Sequence, residues 1–272
     1  MLSNEGERLE RVVVCTPRRE YAFGAGEPEK HNIGDLGDPD TAVQQHNVLK
    51  SALREFGAEV VDIVELEGHP NSVFVRDTAV CIPRGYVKLR LGLETRQGED
   101  DWMAEILEEL GEPCVGEIRG PGTVEGGDIV LAGEVAFIGR STRTNQEGIR
   151  QLSEILKVMG YEIRIIELPE TILHLDKALM VLGPKQVLYC QDRISEKELE
   201  GFERVGILGG GNTTANIICL GEGELIVNRS NSLVADVLAE RGYQVHALDL
   251  GEFAKGMGGP NCLILPIQRR AW

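Results

Sequence analysis

Four short stretches carry most of the reactive side chains of this chain. They are Asn71-Ser72-Val73-Phe74-Val75-Arg76-Asp77, Glu125-Gly126-Gly127-Asp128, Leu173-His174-Leu175-Asp176 and Gly258-Gly259-Pro260-Asn261-Cys262. Between them they hold a thiol, an imidazole and several carboxylates. An ionised thiol is a nucleophile, an imidazole moves protons near neutral pH, and carboxylates grip a cation through charge-assisted hydrogen bonds. Singly, each stretch is ordinary: a lone histidine is more often structural, and an aspartate after a strand usually forms a turn. Their significance is positional, because all four fall at strand ends or turns.

The cysteines stand at 15, 81, 114, 190, 219 and 262. No two form a CxxC pair, so the spacing indicates neither a metal site nor a redox dithiol, and no cofactor is expected. Most lie in apolar, strand-like runs such as Val12–Cys15 and Val187–Cys190, as buried small hydrophobes do. Cys262 differs, since Gly258, Gly259, Pro260 and Asn261 put turn chemistry directly before an apolar run.

Around these residues one pattern recurs: an amphipathic helix, a glycine, then a strand. It appears as Leu49–Phe56, Gly57, Ala58–Ile63; as Trp102–Leu110, Gly111, Cys114–Ile118; as Gln151–Met159, Gly160, Tyr161–Glu167; and as Ser232–Arg241, Gly242, Tyr243–Leu248. A weaker copy is Glu196–Phe202 followed by Arg204–Leu208. The glycine suits the position just past a helix, where φ is positive. Between the units lie strand pairs: Val73–Ile82 with Tyr86–Leu91, Asp128–Leu131 with Val135–Ile138, Ala178–Leu182 with Gln186–Cys190, and Asn216–Leu220 with Glu224–Val227. Cys262–Pro266 and Arg11–Thr16, from opposite ends of the chain, are expected to pair with each other. Five such units predict an α/β fold: a five-bladed ββαβ propeller forming a single domain over residues 1–272. A doubly wound sheet is disfavoured, because it would place one strand, not two, between helices.

Composition sets the outer bounds. The chain has 272 residues, 42% hydrophobic and 26% charged, which suits a globular protein. Its longest apolar runs are too short to span a bilayer, and Met1–Glu10 lacks a basic and an apolar signal region. A cytoplasmic protein is expected. The formal net charge of −16 disfavours nucleic acid and anionic membranes and is compatible with a small cationic substrate. A homo-oligomer is allowed by the sequence and not required by it.

The motifs, in this order, resemble those of the guanidino-group-modifying superfamily, the penteins. The resemblance rests on Phe74-Val75-Arg76-Asp77, the Glu-Gly-Gly-Asp run, Ile138-Gly139-Arg140-Ser141-Thr142-Arg143-Thr144-Asn145, the His-Leu-Asp run and the terminal Gly-Gly-x-x-Cys. It implies that Cys262 attacks a guanidinium carbon, that His174 protonates the leaving amine and then deprotonates water, and that Glu125 orients His174 or a substrate nitrogen. It implies that Asp77 and Asp176 hold the guanidinium and that Arg143 binds the substrate α-carboxylate, with Arg96 or Arg90 assisting. The chemistry needs no Lewis acid, and the thiol is expected to ionise beside an imidazolium or the substrate cation.

Within the superfamily, His174-Leu175-Asp176 resembles deiminases, whereas dimethylarginine hydrolases carry Lys where Asp176 stands, Asp at the place of Asn71 and Glu at that of Arg76. The compact length resembles arginine dihydrolases, which take arginine to ornithine. The expected activity is hydrolysis of the arginine guanidino group, to ornithine or stopping at citrulline. The rivals are a dimethylarginine dimethylaminohydrolase and an amidinotransferase with arginine as donor. Asn71 is expected to hold the neutral ureido group. Segment Arg18–Asp38 stands where a lid would belong, and Gly209–Gly211 is read as the start of a strand.

Overall fold

The computed structural model describes residues 4–23, 27–82, 84–210 and 214–271. Among them, fifteen strands form five three-stranded sheets. In each sheet a middle strand pairs antiparallel with an inner neighbour and parallel with an outer one. The first sheet joins the two ends of the chain: β1 (Arg8–Cys15) lies between β15 (Leu265–Arg270), antiparallel, and β2 (Glu59–Ile63), parallel. The others are β3 (Ala79–Ile82), β4 (Gly85–Lys88), β5 (Cys114–Glu117); β6 (Ile129–Ala132), β7 (Val135–Arg140), β8 (Glu162–Glu167); β9 (Leu179–Gly183), β10 (Gln186–Cys190), β11 (Glu203–Ile207); and β12 (Ile218–Gly221), β13 (Glu224–Asn228), β14 (Gln244–Leu248).

A parallel neighbour requires a crossover, and helices supply it. α1 (Glu20–Phe23) and α2 (Pro39–Phe56) connect β1 to β2, α3 (Glu99–Glu109) connects β4 to β5, α4 (Gln146–Val158) connects β7 to β8, and α5 (Ser232–Glu240) connects β13 to β14. α6 (Gly251–Lys255) follows β14. Side-chain caps set two helix starts, Asp38 accepting from the Thr41 amide and Asn145 from the Gly148 amide, each at 2.8 Å. Gly57, Gly111, Gly160 and Gly242 adopt positive φ just past α2–α5, as the repeat implied.

Burial runs outward through each sheet. β3, β6, β9 and β12 are buried along their whole length, whereas β2, β5 and β14 are largely half-buried or exposed. The inner strands also meet across sheets: β15 lies against β3, β6 against β9, and β9 against β12, while β12 lies against the middle strand β1. A radial fold produces this gradient, because its innermost strands have apolar neighbours on both faces. No helix among the described residues is long and apolar enough to cross a membrane.

Several boundaries differ from the sequence reading. Of Val73–Ile82 only Ala79–Ile82 is strand; Pro70–Val73 and Val75–Asp77 are tight 3₁₀ turns. Cys262 likewise lies in a turn, Pro260–Leu263, and β15 begins after it. The weak fourth helix is a single 3₁₀ turn, Glu196–Leu199. Gly209 and Gly210 follow β11 rather than opening a strand, and Gly211 lies outside the described residues.

Candidate active site

The four reactive stretches occupy equivalent positions. Each is a 3₁₀ turn directly before an inner strand: Pro70–Val73 and Val75–Asp77 before β3, Gly126–Asp128 before β6, Leu175–Lys177 before β9, and Pro260–Leu263 before β15. Turn 75–77 packs against turns 126–128 and 260–263, and turn 126–128 packs against 175–177. The fifth sheet contributes Asn216, just before β12. Gly127 is needed for this convergence, since a Cβ there would stand 2.6 Å from His174 Nδ1.

His174, Glu125 and Asp77 form one buried group. His174 Nε2 lies 2.7 Å from Glu125 Oε2, and its Nδ1 lies 3.8 Å from Asp77 Oδ1. Asp77 accepts from the Gly127 amide at 3.0 Å and pairs with Arg96 at 2.6 Å. Arg96 also donates to Glu99 at 2.7 and 2.9 Å and to the Phe74 carbonyl. Glu125 accepts from the Gly92 amide at 3.0 Å, with Arg143 3.7 Å away.

Burial favours neutral groups here, but the charges decide the outcome. Burial would raise the carboxyl of Asp77, yet His174, Arg96 and the Gly127 amide hold it down to about 2. Glu125 is likewise held below the usual range despite burial, by its bond to His174. Burial opposes charge on His174, but Asp77, Glu125 and Asp128 overcome it and raise the imidazole to about 9. His174 is therefore an imidazolium at neutral pH.

Cys262 is 4% exposed. Its Sγ lies 3.4 Å from the Gly259 amide, 3.5 Å from Asn216 Nδ2, 3.5 Å from Lys177 Nζ and 3.8 Å from Asp176 Oδ2. Burial and Asp176 push the thiol up to about 11, against the pull of Lys177. Asp176 Oδ2 accepts from Asn261 Nδ2 at 3.1 Å, while Asp176 Oδ1, Asn71 Oδ1 and His174 Nδ1 are buried with no hydrogen-bond partner.

A narrow cavity of about 20 Å³ is lined by Asn71, Asp77, Glu125, His174, Arg143 and Cys262. Arg96 also lines it, but its guanidinium is committed to Asp77, Glu99 and backbone carbonyls. Arg90 is not among the lining residues and reaches the Gly122 carbonyl instead. Asn71 Nδ2 donates to the His31 carbonyl at 2.7 Å, which leaves Oδ1 as the side-chain atom with no hydrogen-bond partner. Residues 30–32 of the expected lid lie against the site: Asn32 lines the cavity and the Lys30 carbonyl accepts from Thr95. Gly24–Gly26 of that segment lie outside the described residues.

Asp77, Glu125 and His174 also bring ligand atoms within 4.8 Å of one another, a spacing that would admit a metal ion. Sequence spacing could not reveal it, because the three come from separate turns. Their facing lone pairs already serve Arg96, the Gly127 and Gly92 amides and each other. Sequence reasoning missed Lys177 and Asn216 as neighbours of the thiol. Lys177 directly follows the His-Leu-Asp run, which was the available signal; Asn216 had none beyond its place before an inner strand.

Five sheets whose inner ends bring a thiol, an imidazolium and carboxylates together define a guanidino-group-modifying pentein. More narrowly, the chain belongs to the arginine deiminase family, whose model matches residues 58–204 and 211–269. It is 32% identical to the N(G),N(G)-dimethylarginine dimethylaminohydrolase of Pseudomonas aeruginosa, over 94% of this chain and 99% of that protein. The structure of a variant of that enzyme complexed with citrulline superposes with a TM-score of 0.83, at 29% identity, over 95% of this chain and 99% of the other. The N-terminal domain of ArgZ, a cyanobacterial arginine dihydrolase, shares the fold with the same TM-score at 22% identity, over 97% and 98% of the two chains. The protein is a hydrolase of guanidino C–N bonds.

Proposed function

We propose that the protein hydrolyses the guanidino group of L-arginine through a covalent intermediate on Cys262 and carries the reaction on to ornithine. The observation that carries the choice of arginine is Asp176 Oδ1. It is a buried carboxylate oxygen beside the thiol with no hydrogen-bond donor of its own. An unsubstituted guanidinium supplies N–H donors there, and Asp77 can hold the opposite edge. Dimethylation of the facing nitrogen removes those donors and leaves the carboxylate unsatisfied, which costs about 1–3 kcal/mol or more.

The Cys262 thiolate attacks the guanidinium carbon, and the His174 imidazolium gives its proton to the departing ammonia. The resulting S-alkyl thiouronium is attacked by water, whose proton returns to His174, and collapse expels the thiolate and citrulline. A second attack, on the ureido carbon, expels a second ammonia. Hydrolysis of the thiocarbamate then leaves ornithine and carbon dioxide. The ureido N–H groups suit Asn71 Oδ1, the free acceptor in the cavity. Glu125 orients His174, and Arg143, beside Glu125 on the cavity wall, suits the substrate carboxylate. Arg96 keeps Asp77 ionised.

A second reading, dimethylarginine as substrate, is favoured by the identity to the Pseudomonas enzyme. Kinetics with both substrates separate the two: arginine should exceed asymmetric dimethylarginine at least about tenfold in kcat/KM, and the reverse order overturns the proposal. With limiting arginine alone, ammonia should approach two per arginine. One ammonia with stoichiometric citrulline would make the protein a deiminase, and no ammonia a transferase.

A further inference from the structure

Lys177 belongs to none of the roles above, yet its ammonium touches the sulfur. Nζ lies 3.5 Å from Cys262 Sγ, and two more N–H donors, Asn216 Nδ2 and the Gly259 amide, point at the same atom from other sides. A neutral thiol is a weak acceptor, whereas a cation with converging donors is what a thiolate requires. His174 is committed elsewhere, with Nε2 on Glu125 and Nδ1 toward Asp77.

The two side chains also open into different spaces. Cys262 lines the narrow cavity with His174 and Asp77. Lys177 lines a wider one, about 350 Å³, with Asn216, Gly258, Gly259 and Asn231. The two cavities adjoin, sharing Leu173, Met257 and Gly258, and Lys177 is a lining residue of the wider one and not of the narrow one. The titratable groups facing Sγ are Asp176 and Lys177, from the turn before β9, and Asp77, from the turn before β3. Lys177 is the cation among them, and the same pairing raises the lysine above its ordinary range against burial.

We propose that Lys177 is a positioning residue that stabilises the Cys262 thiolate in the ligand-free protein through an ammonium–thiolate pair. The thiol proton leaves to solvent, the lysine keeps its own, and no bond to carbon forms until substrate binds. The pair keeps the thiol from rising still higher, so that more thiolate is present before the substrate cation arrives than would be without the ammonium. This rests on Cys262 being the nucleophile, but its test needs no substrate, so it and the arginine assignment can fail independently.

The test is the pH dependence of Cys262 carboxamidomethylation by iodoacetamide, followed by peptide mass so that the exposed Cys114 is not counted. In Lys177→Met the midpoint should rise by about one pH unit or more, making alkylation at pH 8 about tenfold slower than in the wild type. Lys177→Arg should stay near the wild-type curve. Coupling is reciprocal, so Cys262→Ser should lower the titration midpoint of Lys177 in NMR, a measurement that does not depend on a lysine variant folding. Coincident alkylation curves for wild type and a folded Lys177→Met, or an unmoved Lys177 in Cys262→Ser, would overturn the proposal.

Discussion

His46 and His174 are equally buried, at 0% and 2% exposed, yet they sit at opposite ends of the histidine range. His46, on α2, approaches Thr16 Oγ1 at 3.1 Å, and Thr16 and Asp62 both bind Lys50 at 2.7 Å. Burial, then Lys50, hold that imidazole down to about 3, against Asp62. His174 meets the same burial, but its neighbours are carboxylates, and it rises to about 9. Burial does not distinguish a packed histidine from the one proposed to move protons. The sign of the surrounding charge does, and here it separates a neutral ring that packs one helix onto a sheet from a cation able to give up a proton.

The comparison breaks most sharply in the rates. His174→Gln should lower kcat/KM for arginine by on the order of 10²–10⁴, the usual weight of general acid–base catalysis. His46→Gln should leave it within about twofold. Circular dichroism would verify that both variants fold. A loss in His46→Gln matching that in His174→Gln would erase the distinction.

The pH profile of the wild type tests the His174 side next. In the proposed mechanism turnover needs the imidazolium, lost above about 9, and the thiolate, gained toward about 11. kcat/KM should therefore climb about tenfold per pH unit from neutrality to about 9, level off, and fall beyond about 11. An optimum below pH 7 would contradict the raised imidazole.

The smallest effect lies in stability. The folded His46 is depressed below its ordinary 6.5, so its contribution is complete above that value and is lost as pH falls toward about 3. His174 has the opposite sign: its contribution is complete below 6.5 and is lost as pH rises through about 9. Urea unfolding of wild type and His46→Gln at pH 7 and pH 5 isolates the first. The stability difference between them should move against the wild type by up to about 1.4 kcal/mol per pH unit in that range. A constant difference would mean that His46 does not titrate as its surroundings imply.

The same two regions show what could be read from the chain in advance. The five-fold repeat was legible because apolar spacing and a following glycine mark α2–α5, and the ββ pairs between them are continuous apolar runs. The first half of α2 was not. Its inward face carries Gln45 and His46, buried beside Asp249 and Thr16, so hydrophobic periodicity breaks off where the helix continues. The four reactive stretches were legible as stretches, but their local form was not. Val73–Thr78 reads as a β-rich run, and only its packing against turns 126–128 and 260–263 curls it into 3₁₀ turns. Partnerships across turns were out of reach for the same reason: nothing near Arg96 in sequence reveals that it serves Asp77, and the His-Leu-Asp run before Lys177 marks its turn but not the sulfur 85 residues away that it meets.

The pairing of β1 with β15 bears on how the protein is made. On the ribosome the Arg8–Cys15 strand emerges early, and its antiparallel partner, Leu265–Arg270, emerges after everything between them. The first sheet must wait, with one edge unpaired, while the other four can form from neighbouring segments. Cys262 lies only a few residues before that late strand. The Cys262 thiol is therefore delivered to the carboxylates and the imidazole last, after the segments of most of the scaffold have been made.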